Sequence, residues 1–386
     1  MKAIFLIDAT FSKRDFDRFG IEALVRNNFQ VLLWDFSLIR ESKLDTRAFE
    51  KDFYSKKINR YVFKDFQKLN QKIKELENAF LFDERSAVYK KYNSCWFQGY
   101  GAIIVKRNQS NVPFHAWIPS INDYYIILRN SFINDGIIAS TLRVLKYINK
   151  NLFNNNKECC DIRVCSGSSS PRNNNEFEIR SHSFDFDIYL EEKSKKINSK
   201  ESIVFLDNGM TSHPDFKKMG VTPYCSESAY FPLLRAFFTK VEKQTGLQVI
   251  VSVHPRLIFD KSMNKKFGNR ELTSGKTAEL VKGAKLVIAH DSTAINFAVL
   301  WSTPLLIVTT DQIERRIYYS MEALTQFLRI KRININNSYD GLNFLEIAQE
   351  PISQYNHFVD KFIKAKNSPT QNSAEILIKG LQKYVQ

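Results

Sequence analysis

A histidine, a proline and an arginine follow one β-branched, apolar run of the chain. The run VIVSV leads directly into His254, Pro255 and Arg256, and the proline keeps a strand from continuing. An imidazole and a guanidinium can both donate hydrogen bonds to phosphate oxygens. These three residues therefore predict an anion-binding site at the end of a strand.

A second polar segment follows another apolar run, LVIA, and contains His290, Ser292 and Thr293. The helical pattern that ends at Trp301 begins at Ser292 or Thr293. Hydroxyl and backbone N–H groups at the start of a helix bind anions, and ligands of parallel α/β sheets bind outside the carboxyl ends of the strands. The two segments together favour a phosphate site. A simple helix cap at Ser292 is the alternative.

Asp207 follows a third apolar run and is itself followed by Asn208 and Gly209. A carboxylate at such a position could accept a proton from a hydroxyl as a general base, or attack an anomeric carbon as a nucleophile. We expect Asn208 and Gly209 to contact the substrate beside it. Asp-Asn-Gly is also a strong turn sequence, so a turn-capping role for Asp207 is the alternative.

Two positions in the first half of the chain are expected to bind an acceptor. Asp8 follows the first predicted strand, Lys2–Ile7. Ser168 lies in the loop VCSGSSSP, whose small residues would let a ligand approach the backbone closely.

An Asp-x-Asp pair, Asp185 and Asp187, is the strongest candidate for holding a divalent metal, with His182 close by. The pair lies in an alternating apolar stretch, which predicts a strand over Phe184–Leu190. We therefore predict no metal site.

The chain contains five cysteines: Cys95, Cys159, Cys160, Cys165 and Cys225. Their number is odd, and their spacing fits neither a disulfide framework nor a metal site. We predict that all five are reduced thiols, which is typical of a cytoplasmic protein.

The composition is that of a folded protein with an excess of positive charge. The chain has 386 residues, 44% hydrophobic and 25% charged, with a net charge of +15. This excludes a disordered or fibrous chain, and the length favours two domains. The opening segment predicts a strand rather than a signal peptide, and no apolar run is long enough to cross a membrane. No nucleic-acid-binding signature is present, so an anionic ligand or membrane surface is the expected partner of the positive charge.

Short apolar runs alternate with helical patterns, which predicts an α/β fold with mostly parallel sheets. Helices are expected over 15–27, 66–80, 136–149, 228–245, 276–283, 351–366 and 373–385. The charged stretch 191–201 predicts a linker between two Rossmann-like halves. Neither half has the glycine fingerprint of dinucleotide-binding proteins or a P-loop, which counts against dehydrogenases and P-loop NTPases.

The order Asp207-Asn208-Gly209, His254-Pro255 and Ser292-Thr293 resembles the acidic-Gly, HP and S motifs of GT-B-type bacterial sialyltransferases and Kdo transferases. The resemblance covers about residues 201–311. It implies two Rossmann-like domains that face a cleft, with the acceptor bound by 1–195 and a nucleotide-sugar by 196–366. A C-terminal helix at about 367–386 would pack back on the first domain.

The resemblance also implies the chemistry. His254, Ser292 and Thr293 would hold the phosphate of a CMP-activated, sialic-acid-like or Kdo-like sugar, and Asp207 would act as the base. Asn208 departs from the family, which has a second acid there. The family needs no metal, so no cofactor is expected beyond the CMP-sugar donor substrate.

The resulting hypothesis is a cytoplasmic glycosyltransferase that acts on a bacterial cell-surface glycan. A lipid-linked acceptor would bring its basic surface to the anionic inner membrane. The alternatives are a UDP- or CDP-dependent GT-B-like transferase or epimerase, and a non-catalytic glycan-binding scaffold.

Overall fold

A computed structural model describes residues 1–39, 52–85, 92–109, 159–170, 175–196, 201–214, 216, 222–257, 261–348 and 353–386. These residues divide between two compact units. Unit 1 consists of the described parts of Met1–Asn111, Lys157–Asp187 and Asp360–Gln386, and unit 2 of those in Ile188–Val359. The C-terminal segment thus belongs to the same unit as the N-terminal strand. The helix predicted over 136–149 lies outside the described residues.

The secondary structure follows the alternation expected of an α/β fold. The described strands are β1 Lys2–Ile7, β2 Gln30–Asp35, β3 Asn59–Val62, β4 Ala79–Asp83, β5 Ile103–Asn108, β6 Ile162–Cys165, β7 Phe177–Arg180, β8 Ser202–Leu206, β9 Val249–Val253, β10 Leu272–Ser274, β11 Ala284–Ala289, β12 Leu305–Thr309 and β13 Arg332–Asn334. The described α-helices are α1 Lys13–Arg18, α2 Ile21–Arg26, α3 Phe66–Gln71, α4 Ser94–Gln98, α5 Phe184–Lys193, α6 Glu227–Thr245, α7 Lys261–Lys266, α8 Thr277–Lys282, α9 Ile295–Trp301, α10 Asp311–Leu328, α11 Phe344–Ile347, α12 Ser353–Phe358 and α13 Ser373–Val385. Within the described ranges, no helix has the length and apolar character needed to cross a bilayer.

Unit 1 is built on a seven-stranded sheet in the order β3-β2-β1-β4-β5-β6-β7, and the neighbouring strands are parallel. Successive side chains enter two different cores: Phe5 and Leu33 lie in one, and Ile4 and Trp34 in the other. A parallel sheet with two apolar faces needs helices on both sides. Unit 1 therefore has a Rossmann-like layered structure.

Unit 2 is built on a six-stranded parallel sheet in the order β10-β9-β8-β11-β12-β13. The predicted helix over 228–245 is confirmed as α6, and it buries one face that includes Tyr230 and Phe238. Gly246 ends this helix in the left-handed conformation at φ +70°, which glycine adopts without steric cost. The two parallel sheets confirm the predicted α/β fold class.

Three predicted elements of unit 1 were wrong in type or extent. The single helix expected over 15–27 is two short helices separated by Gly20, whose φ of +68° interrupts the helical backbone. The helix expected over 66–80 ends after α3 and a 3₁₀ turn, Ile73–Glu75, because Ala79 already begins the buried strand β4. The strand expected over Phe184–Leu190 is helix α5. Asp185 and Asp187 both lie in the first turn of this helix, where the helix dipole favours negative charge.

The prediction of five reduced cysteines was also wrong, because Cys95 and Cys159 form a disulfide. Cys95 lies on α4, and Cys159 lies just before β6. The two segments are joined by Asp161, which accepts hydrogen bonds from the Gln98 amide at 2.7 Å and the Ile104 N–H at 2.7 Å. A separation of 64 residues carries no signal of this proximity in the sequence. Cys160, Cys165 and Cys225 are free thiols.

The C-terminal helix α13 completes the core of unit 1. Ile376, Leu377 and Leu381 are buried in the same cluster as Phe5. The Asp187 carboxylate accepts hydrogen bonds from the N–H and the hydroxyl of Ser373, at the start of α13. This assigns one acid of the Asp-x-Asp pair to a structural contact.

The small-residue loop after β6 contacts the C-terminal segment through Ser168, whose role in acceptor binding stays a prediction. Its N–H donates to the Asp360 carbonyl at 2.8 Å, and its hydroxyl donates to the Asp360 carboxylate at 2.9 Å. A Cβ atom on Gly167 would lie 2.1 Å from the Lys361 carbonyl oxygen. The small side chains of this loop therefore make room for the backbone of Asp360 and Lys361.

We expect Gly167→Ala to lower the free energy of unfolding by about 3 kcal/mol, because the added methyl group meets backbone that cannot rotate away. Urea denaturation would measure the change. Gly99→Ala is the matched control, since its Cβ would lie 3.3 Å from the nearest atom, and its cost should stay below about 1 kcal/mol. Equal effects of the two substitutions would contradict this role of Gly167.

Candidate active site

The sheet of unit 2 has one position where the strand order reverses. From β8 the order runs through β9 and β10 on one side, and through β11, β12 and β13 on the other. Loops at such a switch point diverge to opposite faces of the sheet and leave a crevice at the carboxyl ends of the strands. The loops after β8 and β11 border this crevice, and the loop after β9 lies beside it.

The structure brings the three predicted motifs to this one edge. The Asp207 N–H donates to the Ser252 carbonyl at 3.0 Å, so the β8 loop lies against the end of β9, just before His254. On the other side, Leu206 pairs with Ala289, the last residue of β11. The acidic motif therefore lies between the histidine-proline and serine-threonine motifs.

The Asp207 carboxyl group is buried at the start of its loop. Its Oδ1 accepts a hydrogen bond from the Gly209 N–H at 3.1 Å, which caps the turn. Gly209 has φ +68°, a conformation that favours glycine. Burial raises the pKa of Asp207 from 3.8 to about 6, and the Gly209 hydrogen bond offsets only part of this rise. The carboxyl group is therefore a stronger base than an exposed aspartate.

Asn208 connects two of the loops. Its side-chain NH₂ donates to the Asp291 carbonyl at 2.9 Å. Its Oδ1 is buried and, within the described residues, accepts no hydrogen bond. A carboxylate at this position could not donate to the Asp291 carbonyl and would repel it, so an amide suits the contact better than an acid does.

His254 is partly exposed, and its ring has a defined orientation. Its Nδ1 accepts a hydrogen bond from the Arg256 N–H at 3.2 Å, which places the ring proton of the neutral form on Nε2. The ring also meets the His213 ring edge-on, with 4.6 Å between centroids. Pro255 is exposed beside it. The role of His254 in binding an anion stays a prediction.

The serine-threonine motif precedes the helix instead of starting it. Helix α9 begins at Ile295, whereas the prediction placed its start at Ser292 or Thr293. Ser292 is buried, and its hydroxyl accepts from the Ala294 N–H at 3.3 Å in the turn before the helix. The N-cap of α9 is Ala294, which has no side-chain cap, so Ser292 is not the helix cap that the alternative expects. Thr293 is exposed.

The predicted nucleotide contact of His290 is not compatible with its surroundings. The ring is fully buried, with Nδ1 2.5 Å from the Val308 carbonyl and Nε2 2.7 Å from the Tyr230 hydroxyl. Burial lowers its pKa to about 4, so the neutral ring donates to Val308 and accepts from Tyr230. Both ring nitrogens therefore have hydrogen-bond partners inside unit 2, and the two bonds hold the first residue after β11 in place.

In unit 1, Asp8 follows β1 and is buried at the corresponding switch point between β1 and β4. Its role in acceptor binding stays a prediction. Within the described residues there is no group of three potential metal ligands among His, Cys, Asp and Glu.

A cavity that the sequence does not predict lies beside the Asp207 loop. It has a volume of about 480 Å³ and is lined by Thr211, Thr222, Pro223, Tyr224, Cys225, Ser226, Glu227, Gln312 and Arg315. Its lining comes from the β8 loop, the segment that leads into α6, and the first turns of α10. The residues before α6 match no motif in the sequence analysis. They lie far from α10 in the sequence, and the fold brings the two segments together.

No protein-family model and no curated protein sequence matches the chain. Solved structures do match its fold. A variant of the wall teichoic acid polymerase TagF aligns with a TM-score of 0.54 at 10% identity, covering 100% of this chain and 90% of that one. TagF soaked with CDPG aligns at 0.50 and 9%, covering 100% and 89%. MurG of Acinetobacter baumannii aligns at 0.46 and 10%, covering 99% and 100%. At these identities the TagF likeness shows a shared fold, of the GT-B type, in which each of two units contains a parallel α/β sheet.

Proposed function

We propose that the protein is a GT-B-type glycosyltransferase that moves an acidic sugar from a CMP-activated donor to a bacterial cell-surface glycan. The observation that carries this proposal is the convergence of Asp207, His254 and the Asp291–Thr293 loop at the switch point of one parallel sheet. The GT-B-like fold supports it, since the matching structures include a wall teichoic acid polymerase.

The phosphate of the donor would lie against the β9 and β11 loops. The His254 Nε2–H group and the Arg256 side chain can donate to its oxygens, and the Thr293 hydroxyl is exposed for the same purpose. As the bond between the anomeric carbon and the phosphate oxygen breaks, negative charge grows on the phosphate. Donors already in position stabilise that charge without having to reorganise.

Asp207 would take the acceptor's proton. The acceptor oxygen attacks the anomeric carbon, CMP leaves with the bonding electrons, and the hydroxyl proton moves to the Asp207 carboxylate. With a pKa of about 6, the group is mostly ionised at neutral pH but is more basic than an ordinary aspartate. Attack by the same carboxylate on the anomeric carbon is the alternative mechanism.

A CDP-activated donor is the second candidate, and one observation favours it. TagF, whose fold this chain shares, has been soaked with CDPG. A pyrophosphate-linked donor could use the same His254 donor group and the same loops. The acceptor is proposed to be a glycan, held in part by unit 1 near Asp8. If it is lipid-linked, the net charge of +15 would draw the protein to the anionic inner membrane.

A thermal-shift and calorimetry panel of CMP, CDP, UMP, UDP and GDP, each with and without EDTA, tests the proposal. A ligand that binds only the folded protein raises the melting temperature. We expect CMP, or CDP for the second candidate, to stabilise the protein selectively and equally with EDTA present. Selectivity for UDP, or a response lost in EDTA, would rule out the proposal. No response to any nucleotide would favour a non-catalytic scaffold.

A further inference from the structure

A buried hydrogen-bonded pair, Tyr230 and His290, lies next to the loops of the proposed site. Tyr230 is on helix α6 and is 1% exposed, and His290 directly follows β11 and is 0% exposed. The Tyr230 hydroxyl lies 2.7 Å from His290 Nε2, and His290 Nδ1 lies 2.5 Å from the carbonyl oxygen of Val308 on β12. The pair therefore joins a helix, the β11 loop and a neighbouring strand.

The direction of both hydrogen bonds is fixed at neutral pH. Burial raises the pKa of Tyr230 well above its ordinary value, and the charge of Asp207 adds to the rise, so the hydroxyl keeps its proton. The pKa of His290 is lowered to about 4, so its ring is neutral and accepts from Tyr230. Neither group changes its charge near pH 6, where Asp207 titrates. The pair therefore acts through its geometry and not as a proton carrier.

One hydrogen bond leads from this pair to the proposed base. Asp291 follows His290, and its carbonyl accepts from the Asn208 NH₂ group at 2.9 Å. Within the described residues this is the one hydrogen bond of the Asn208 side chain. The Asp207 N–H ties the same loop to β9 through the Ser252 carbonyl at 3.0 Å. The Asn208 amide thus ties the Asp207 loop to the β11 loop on its other side.

We propose that Tyr230 is a positioning residue whose hydroxyl fixes the His290 ring. The ring holds the Asp291–Thr293 loop where it would bind the donor phosphate. Through the bond from Asn208 to this loop, it also orients Asp207 toward the acceptor. This inference rests on the proposed function and adds to it a residue that no sequence motif includes. Tyr230 is too deeply buried to touch a substrate, so its effect passes through the loops.

Tyr230→Phe tests the proposal, because it removes one oxygen atom and keeps the ring. The buried His290 Nε2 loses its donor, and the ring and its loop should shift. Small displacements of reacting groups are costly, so we expect a transfer rate about 10- to 100-fold lower with saturating donor. Nucleotide affinity, measured by calorimetry, should fall about 3- to 10-fold. Amide hydrogen exchange over residues 289–297 should be faster than in the wild type.

Tyr355→Phe is the matched control within unit 2. The Tyr355 hydroxyl is also buried and donates to the Thr303 carbonyl at 3.3 Å. Thr303 precedes β12, so this bond lies at the amino ends of the strands, on the edge opposite to the site. The control should lose stability but keep the wild-type rate, affinity and hydrogen exchange. If Tyr230→Phe behaves in the same way, its hydroxyl has a structural role alone and the proposal is overturned.

Asn208→Ala separates the two effects of the pair. It removes the bond to the Asp291 carbonyl and leaves His290 in place. In this background, Tyr230→Phe should lower the rate by less than about threefold, because the path to Asp207 is already broken. It should still weaken nucleotide binding about 3- to 10-fold, since His290 holds the β11 loop directly. Rate losses that multiply would overturn the path through Asn208.

The proposed function and the positioning role can fail separately. If the wild type neither binds a nucleotide nor transfers a sugar, the proposed function fails. Hydrogen exchange needs no substrate and still decides the role of Tyr230 in holding the loops. If the wild type is active and Tyr230→Phe changes neither rate nor exchange, the positioning role is overturned and the proposed function stands.

Discussion

Asp207→Asn should reduce the rate of glycosyl transfer about 1000-fold while leaving nucleotide affinity within threefold of the wild type. The amide keeps the turn, because its Oδ1 can still accept from the Gly209 N–H. It cannot accept the acceptor's proton, and a positioned general base contributes about 10²- to 10⁴-fold to a rate. Measuring transfer with a saturating donor separates the chemical step from binding. The wild-type rate should rise as pH increases through about 6, where Asp207 loses its proton.

The same substitution should make the protein more stable at pH 7.5. The folded-state pKa of about 6 lies above the unfolded value of 3.8, so the folded protein binds the extra proton between these values. The associated stability is fully present below pH 3.8 and is lost as pH rises to about 6. A neutral amide avoids this loss, and a shift of about two pKa units corresponds to about 3 kcal/mol. Urea denaturation at pH 4 and pH 7.5 would show the gain of the variant only at the higher pH.

Asp340→Asn is the control, because this exposed acid also forms a side-chain hydrogen bond but lies outside the proposed site. It should change neither the transfer rate nor the stability by a comparable amount. An Asp207→Asn enzyme that retains full activity would refute the base assignment. A variant that loses activity together with stability at pH 7.5 would indicate a purely structural aspartate.

His254→Asn should weaken nucleotide binding about 10- to 100-fold, the range expected when a hydrogen bond to a charged group is lost. The Asn Oδ1 can take the place of Nδ1 and accept from the Arg256 N–H, so the local turn survives. What disappears is the Nε2–H donor. His254→Gln can extend an amide N–H toward the same point and should retain more affinity than Asn. Calorimetry with the nucleotide that stabilises the wild type measures both.

His357→Ala provides the comparison for a histidine outside the site, since this exposed ring stacks on Phe327. Its nucleotide affinity should equal that of the wild type. Equal losses in His254→Asn and His254→Gln would mean that the ring acts through its packing against His213 and not through its Nε2–H group.

The elements and motifs that depend on local patterns could be predicted from the sequence. Apolar runs that end in polar residues identify β8, β9 and β11 together with the residues that follow them. Since parallel strands share one edge for their carboxyl ends, a common site for Asp207 and His254 follows. The sequence does not show that β8 lies between the other two strands, because strand order depends on crossovers between distant segments.

Two candidate site residues, His290 and Ser168, have hydrogen-bond partners far along the chain. His290 resembles an exposed ligand until Tyr230, on α6, and Val308, at the end of β12, are seen to occupy its ring nitrogens. Ser168 resembles a flexible ligand loop until Asp360 is seen against it. Short polar residues have the same local signature whether they meet a ligand or another part of the backbone.

The division of unit 1 along the chain affects the order in which the protein can fold during synthesis. Its sheet begins with β1, but the core it shares with Ile376, Leu377 and Leu381 stays open until those residues leave the ribosome. The described part of unit 2 lies between them, and its sheet is complete at β13. Domains usually fold in the order in which they are made. Unit 2 can therefore reach its native structure before unit 1, although unit 1 begins earlier in the chain. Until α13 has been synthesised, the strands of unit 1 expose part of their apolar surface, to which chaperones could bind.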